Sequence, residues 1–171
     1  LPLAMAMLPI YVLVPNFYAA DLGLGLTLTG AVLFLARLLD TVQDPWLGRL
    51  IDRRSPRGWT ALLAAAAALL SLAIAALLIP PGGLGTFALA AWLGGLLALT
   101  YTLHSLVNIT YLAWGARLSD HPNTRTRVAA WREGAGLFGV VLASVLPSAI
   151  ANRYGMATGL AAFAVTFAVL L

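Results

Sequence analysis

The stretch ARLLDTVQDPWLGRLIDRRSPR (residues 36–57) decides the fold class of this chain. It lies at the end of an apolar run that begins near Leu26, yet it places Arg37, Asp40 and Asp44 inside that run. Steps of three and four residues put these side chains on one face of a helix. Each charge in hydrocarbon costs roughly 3 kcal/mol, so three of them in one membrane span should be paired and face a polar cavity. The stretch therefore indicates a functional site inside a membrane helix.

The composition indicates an all-α membrane protein with several spans. The chain has 171 residues, of which 61% are hydrophobic and 9% charged, whereas about a quarter of a soluble domain is charged. The net charge is +4, which could suggest a nucleic-acid partner. However, most of the arginines fall in two short polar segments, as in the cytoplasmic loops of membrane proteins, so no nucleic-acid partner is expected. There is no cysteine, which excludes a disulfide framework and a thiolate metal site.

Six apolar segments are long enough, or nearly so, to cross a bilayer, which takes about 20 residues. They are Leu3–Tyr18, Leu26–Leu50, Trp59–Ile79, Thr86–Ala113, Val128–Ile150 and Met156–Leu171. The Arg-rich connections 51–58 and 114–127 should be cytoplasmic. Pro9 and Pro15 should kink the first span or break it near its outer end. The chain starts at Leu1 and stops inside an apolar run, so we expect residues 1–171 to be one unit of a longer protein, truncated at both ends.

Asp40 and Asp44 lie on adjacent turns of the predicted second helix. Together they would offer up to four oxygens to a hard monovalent cation such as Na⁺. Because the two negative charges are close and removed from water, one carboxylate could instead carry a transported proton. Arg37, one turn earlier, could offset one negative charge. The alternative is a structural Arg–Asp clamp that only ties helices together.

The fourth span carries a polar stripe near its cytoplasmic half, formed by His104, Ser105, Asn108, Thr110 and Tyr111. Such groups could ligate a cation or bind the hydroxyls of a sugar. They could equally hydrogen-bond helix to helix, at about 1 kcal/mol each. A single histidine such as His104 is more often structural than a ligand. Arg132, at the start of the fifth span, could anchor that helix at the interface or reach into a cavity to bind a polar solute.

The second span leaves the membrane through the pattern G-x-x-x-D-R-R-x-x-R, which contains Gly48, Asp52, Arg53 and Arg57. The glycine would allow close contact with a neighbouring helix, and the charges could pair with other helix ends at the cytoplasmic face. This predicts a gating cluster. The alternative is an ordinary basic loop.

The segments RLLDTVQDPWLGRLIDR (residues 37–53), NITYLA (108–113) and RTRVAAWRE (125–133) resemble the glycoside–pentoside–hexuronide cation symporters. This branch of the major facilitator superfamily includes the bacterial melibiose permeases. Residues 48–57 also resemble the superfamily's loop signature between helices two and three, with its glycine displaced to Gly58. The resemblance implies the N-terminal six-helix half of a twelve-helix bundle in a bacterial inner membrane, with the lipid bilayer and the missing C-terminal half as its partners.

The resemblance also assigns roles to residues. Asp40 and Asp44 match the carboxylates that bind the coupling cation, Arg37 matches the arginine beside them, and Ser105 matches a cation-site threonine. Asn108 falls where melibiose permeases have an aspartate shared between cation and sugar, and this departure favours a proton or a different solute. Arg132 matches an arginine that contacts sugar, and Tyr111 belongs to the same polar stripe.

The resulting prediction is a secondary transporter, not an enzyme. We expect Na⁺- or H⁺-coupled symport of a sugar or related small polar solute by alternating access, in a monomer with no cofactor besides the coupling ion. A drug or lipid exporter of the same superfamily is the alternative if the cavity is mainly apolar. A remote alternative is a membrane prenyltransferase in which Asp40 and Asp44 hold Mg²⁺ against a diphosphate, but the sequence lacks the second acidic cluster that such an enzyme needs.

Overall fold

In a computed structural model, the described residues 2–52, 56–116 and 121–171 form a helical bundle. Its helices are α1 (Pro2–Asn16), continued by a π-helical turn (Phe17–Asp21), α2 (Leu26–Asp52), α3 (Pro56–Leu78), α4 (Thr86–Ala116), α5 (Pro122–Tyr154) and α6 (Met156–Leu170). The predicted all-α fold class is confirmed, and the element order matches the six predicted spans.

Most of these helices are long and apolar enough to cross a membrane. Five such segments are present in the described chain: Pro2–Asp21, Leu26–Asp52, Gly58–Leu78, Thr86–Gly115 and Thr126–Tyr154. The sixth predicted span is a shorter apolar helix, Thr158–Leu170. Large apolar side chains point outward from the bundle, for example Phe34 on α2 and Leu137 on α5. A helix satisfies its own backbone hydrogen bonds, so it can lie in hydrocarbon, and its apolar outward face can contact lipid. The length and apolar character of these helices thus identify an integral membrane protein.

The helices pack as a ring in which α4 contacts both α2 and α3, α6 contacts α3 and α5, and α1 contacts α5. Small residues set the closest approaches. A Cβ on Gly94 of α4 would lie 3.3 Å from the Val32 side chain of α2. A Cβ on Gly159 of α6 would lie only 2.5 Å from the carbonyl oxygen of Pro147 on α5. Glycine therefore allows α5 and α6 to pack with their backbones almost in contact.

The first helix changes its winding near the place where the prolines predicted a kink or break. Regular α-helix ends at Asn16, directly after Pro15, and the Leu22 N–H then donates to the Phe17 carbonyl at 3.0 Å, five residues back. The chain stays helical to Asp21 instead of entering a connection at Ala19. A proline cannot donate to the preceding turn, and a wider π turn accommodates the resulting shift in the hydrogen-bond ladder.

Two side chains hold the C-terminal end of α3. The Tyr18 hydroxyl, fully buried after α1, donates to the Leu77 carbonyl at 2.8 Å, and the Trp92 indole of α4 donates to the Ala76 carbonyl at 3.2 Å. The last carbonyls of a helix have no partner within it. Here they find partners from two neighbouring helices, which fixes the order of α1, α3 and α4 at this end.

The fifth helix begins at Pro122, earlier than the predicted Val128, so part of the predicted connection 114–127 is helical. Proline suits the first turn of a helix because its missing N–H would have no partner there and its φ is already helical. Hydropathy alone predicts this start at the first apolar residue, Val128, instead. The polar first turns of α5 thus extend the helix beyond its apolar span.

Candidate cation and solute site

Asp40 lies buried between α2 and α4 and accepts three hydrogen bonds. Its Oδ2 accepts one from Arg37 Nη1 at 3.0 Å, one turn back on α2. Its Oδ1 accepts two more at 3.3 Å each, from Gln43 Nε2 on α2 and from the Ser105 hydroxyl on α4. A buried carboxylate needs such donors to offset its lost hydration. The structure thus brings together Arg37, Asp40 and Ser105, as the sequence predicted.

The Arg37 side chain is held by two tyrosines as well as by Asp40. Its Nη1 donates to the Tyr11 hydroxyl at 2.7 Å, and its Cζ lies 5.5 Å from the ring centre of Tyr11 on α1 and 5.9 Å from that of Tyr101 on α4. A guanidinium over aromatic faces is stabilised electrostatically. Sequence reasoning missed both tyrosines, since nothing in the local pattern links α1 and α4 to this position of α2.

Gln43 contacts Asp40 and Thr102 contacts Gln43, and neither residue was predicted. The Thr102 hydroxyl of α4 lies 2.7 Å from Gln43 Oε1 and also 2.7 Å from the Ala98 carbonyl oxygen. Because a carboxylate only accepts hydrogen bonds, the Gln43 amide turns Nε2 toward Asp40 and Oε1 toward Thr102. Gln43 follows Asp40 by three residues on α2, and that spacing was a signal that could have found it. Thr102 offers no comparable signal. We call Arg37, Asp40, Gln43 and Ser105 the Asp40 cluster.

Asp44 stands apart from this cluster, although it lies one turn further along α2. Its side chain is exposed, and it makes no hydrogen bond or ion pair with any residue that the structure describes. Within residues 2–52, 56–116 and 121–171, no three histidine or acidic side chains converge as metal ligands would. A cation shared by Asp40 and Asp44 would therefore also draw on hydroxyl and amide oxygens such as those of Ser105 and Gln43.

A cavity of about 720 Å³ lies between α1, α3, α4 and α5. Its polar wall includes all three predicted solute-binding residues, Asn108, Tyr111 and Arg132, together with Thr60, His104 and Glu133. The rest of the wall is apolar and comes mainly from α1 and α3, through residues such as Met7 and Leu63. None of the four residues of the Asp40 cluster lines this cavity, and neither does Asp44.

Asn108 on α4 and Arg132 on α5 both line the cavity, and they differ in the partners they already have. Asn108 makes no hydrogen bond with the described part of the chain, so its amide is available to a solute. Arg132 pairs with the neighbouring Glu133. A guanidinium has five N–H donors, so this ion pair leaves several of them for a polar solute. The predicted dual role of Asn108, toward cation and solute, remains a prediction, and the residue lines the cavity.

His104 lies where the cavity and the Asp40 cluster are nearest to each other along α4. From the sequence, a single histidine at this position is more often structural than a ligand. Its ring lines the cavity, and its Nε2 lies 3.2 Å from the carbonyl oxygen of Leu3 on α1. The next residue, Ser105, is bonded to Asp40. The cavity and the Asp40 cluster therefore meet adjacent side chains within one turn of α4.

The predicted gating cluster is only partly visible. Gly48 lies within α2, with open space where a Cβ would be, and Asp52 ends that helix with an exposed side chain. Arg53 and the side chain of Arg57 lie outside the described residues. The indole of Trp59, at the start of α3, donates to the Ile51 carbonyl at 3.1 Å, which ties the two helix ends together.

Comparison with known proteins gives one family and one relative. The family model described as "MFS/sugar transport protein" matches residues 1–171. The chain is 30% identical over 145 residues to the "Inner membrane symporter YicJ" of Escherichia coli (strain K12), a match that covers 81% of this chain and 30% of that protein. The chain thus spans less than a third of the length of the curated relative it matches. No solved structure matches it.

Proposed function

Since the chain belongs to the MFS/sugar transport protein family, a family of transporters and not of membrane prenyltransferases, we propose that the whole protein is a cation-coupled symporter of a sugar or related small polar solute. The observation that carries this proposal is the position of α4. One turn of this helix contributes Ser105 to a buried carboxylate and His104 to the wall of a cavity. A symporter needs such adjacency, because its two ligands must affect each other's binding.

The coupling cation binds at Asp40, with Asp44 as the exposed carboxylate that it meets first. All three present contacts of Asp40 come from hydrogen-bond donors. A proton on Asp40 would compete with one of these donors. Sodium would require Ser105 and Gln43 to turn oxygen toward the ion, which both side chains can do because a hydroxyl and an amide each carry an acceptor. Arg37 limits the net negative charge of the site.

The solute binds in the cavity, against its polar wall. Asn108 and Tyr111 offer both donors and acceptors to hydroxyl groups, and Arg132 offers donors in a planar fork. The apolar wall from α1 and α3 suits the less polar face of a sugar ring. Asn108 also lies one turn after Ser105 on α4, and its role toward the cation is part of this proposal.

Transport proceeds by alternating access between two halves of a longer, monomeric protein, of which this chain is one. The support is the E. coli relative, of which the chain covers only 30%, and which is named an inner membrane symporter. The Arg-rich connections 51–58 and 114–127 face the cytoplasm in this proposal. There, Gly48, Asp52, Arg53 and Arg57 act as the gating cluster.

The test uses the full-length protein in proteoliposomes. Uptake of a panel of methyl and 4-nitrophenyl glycosides, xylosides and glucuronides is measured under an imposed sodium gradient or proton gradient. Wild type is compared with Asp40→Asn, Asp44→Asn and the control Asp21→Asn, an exposed carboxylate at the end of the π-helical turn. We expect one gradient to drive uptake, Asp40→Asn and Asp44→Asn to abolish the coupling, and Asp21→Asn to retain it. Uptake that ignores both gradients would refute symport.

A second candidate, a drug or lipid exporter, is favoured by one observation. Most residues that line the cavity are apolar, and they form a continuous wall from α1 and α3. An exporter would bind amphipathic cations or lipids there rather than sugars. Efflux of ethidium from loaded proteoliposomes separates the two functions: an exporter would extrude the dye, whereas a sugar symporter would leave it inside and take up a glycoside.

A further inference from the structure

His104 contacts one helix while its neighbour in sequence contacts another. Its Nε2 lies 3.2 Å from the Leu3 carbonyl oxygen of α1, and Ser105 donates to Asp40 of α2 at 3.3 Å. The ring of His104 is half-buried and forms part of the cavity wall. A solute in the cavity can therefore touch His104 directly, whereas it cannot touch Asp40, which does not line the cavity.

The contact with Leu3 determines where the hydrogen of the His104 ring lies. A carbonyl oxygen only accepts hydrogen bonds, so Nε2 must be the donor and carries the hydrogen. In the neutral ring, Nδ1 is then a bare acceptor. Nδ1 makes no hydrogen bond with the residues that the structure describes. His104 thus has one ring nitrogen bonded to α1 and another available to a hydroxyl group.

We infer that His104 is the positioning residue that couples solute binding in the cavity to cation binding at Asp40. This inference rests on the proposed function and adds the residue through which the two ligands act on each other. A solute hydroxyl that donates to Nδ1, or competes with Leu3 for Nε2, changes the position of the ring. The new bond replaces the contact that holds α4 to the Leu3 carbonyl of α1, so α4 shifts as a body, and the hydroxyl of Ser105, the next residue on that helix, moves relative to Asp40.

The coupling involves two arrangements of α4, which differ in the contacts of His104 and Ser105. In the first, described by this structure, His104 is bonded to Leu3 and Ser105 to Asp40. In the second, His104 is bonded to the solute and Ser105 is positioned to share its oxygen with a cation at Asp40. A ligand shifts such an equilibrium only by its differential affinity for the two arrangements, and the coupling is reciprocal. The cation should raise solute affinity by the same factor by which the solute raises cation affinity.

The experiment measures that factor in the full-length protein in detergent. The solute probe is the 4-nitrophenyl glycoside of the uptake panel that wild type transports best, and its dissociation constant is determined with and without the driving cation. For sodium, choline replaces the ion; for protons, the comparison is between acidic and alkaline pH. In wild type we expect the cation to tighten binding about 5- to 100-fold, as for typical coupled sites.

Two substitutions of His104 separate coupling from packing. His104→Leu removes both ring nitrogens, and we expect the coupling factor to fall to about 2 or less. His104→Gln keeps a donor for Leu3 and an acceptor for the solute, so it should retain most of the factor. The matched control is Thr60→Val, which alters the cavity wall on α3, and among the described residues no hydrogen bond joins Thr60 to the Asp40 cluster. It should change solute affinity equally with and without the cation.

Each outcome decides something different. A coupling factor of one in wild type would refute the proposed symport itself and leave no role for His104 in coupling. A wild-type factor that His104→Leu leaves unchanged would overturn this inference alone. Weaker solute binding with that unchanged factor, as expected of Thr60→Val, would make His104 a simple wall residue of the cavity.

Discussion

The hydroxyl of Ser105 on α4 lies 3.3 Å from Oδ1 of Asp40 on α2, a direct contact between one side chain of the polar stripe and the buried carboxylate. The residues of the polar stripe therefore contact different parts of the protein. Ser105 faces α2, whereas Asn108 and Tyr111, further along the same helix, line the cavity. Different faces of α4 thus contact the buried carboxylate and the cavity.

Ser105→Ala should weaken activation of uptake by the coupling cation. A single hydrogen bond contributes about 1 kcal/mol, so we expect the cation concentration for half-maximal uptake to rise about 5-fold. Ser105→Thr keeps the hydroxyl and should behave like wild type. Uptake kinetics at varied cation concentration in proteoliposomes check this. An unchanged cation dependence in Ser105→Ala would remove Ser105 from the cation site.

The effects of substituting Arg37 and Asp40 on the free energy of unfolding should not be additive. Arg37→Gln leaves the buried carboxylate with fewer donors, and we expect a loss of about 1–2 kcal/mol, moderated because the Arg37 side chain is 57% exposed. Asp40→Asn in the same protein removes the charge that needed Arg37, so the double variant should recover much of the loss. Thermal unfolding of the four variants of this cycle in detergent measures the coupling. Strictly additive losses would show that the ion pair contributes nothing.

Tyr18→Phe should destabilise the bundle without changing its packing volume. The lost hydroxyl leaves the Leu77 carbonyl, at the end of α3, without its 2.8 Å partner. The expected cost is about 1 kcal/mol. Tyr154→Phe is the control, because the Tyr154 side chain is 64% exposed and its ring contact with Arg153 survives in phenylalanine. Equal unfolding temperatures for both variants would contradict the role of this hydrogen bond.

Gly159→Ala should separate α5 from α6. The added Cβ would lie 2.5 Å from the Pro147 carbonyl oxygen and 2.9 Å from the Ala151 Cβ, and backbone atoms cannot yield as a flexible side chain can. We expect a loss of about 1–3 kcal/mol. Gly95→Ala on α4 meets no heavy atom within 4 Å and should be neutral or slightly stabilising. Unfolding monitored by size-exclusion chromatography after heating compares the two.

The sequence predicted the helices because hydrocarbon demands long apolar segments with internally bonded backbones. The boundaries were less predictable where polar residues are involved. The start of α5 at Pro122 depends on proline at a helix N-terminus, and the π-helical turn after Pro15 depends on local hydrogen bonding. A hydropathy profile detects neither of these two features.

Residue spacing could predict only those parts of the candidate site that share one helix, and Ser105 of α4 was placed at the cation site by the family resemblance alone. Arg37 and Asp40 follow each other at helical spacing, so their pairing could be read from the chain. Tyr11 and Tyr101 reach Arg37 from α1 and α4, and such contacts depend on how helices pack. The same holds for the difference between buried Asp40 and exposed Asp44, which one spacing rule treats alike.

The separation of the Asp40 cluster from the cavity has a kinetic consequence for the proposed symporter. Since no residue of the cluster lines the cavity, a bound ion and a bound sugar would occupy different volumes. Neither would obstruct the arrival or departure of the other. The sequence in which they bind is then set by their concentrations and mutual affinities, and either ligand can leave first.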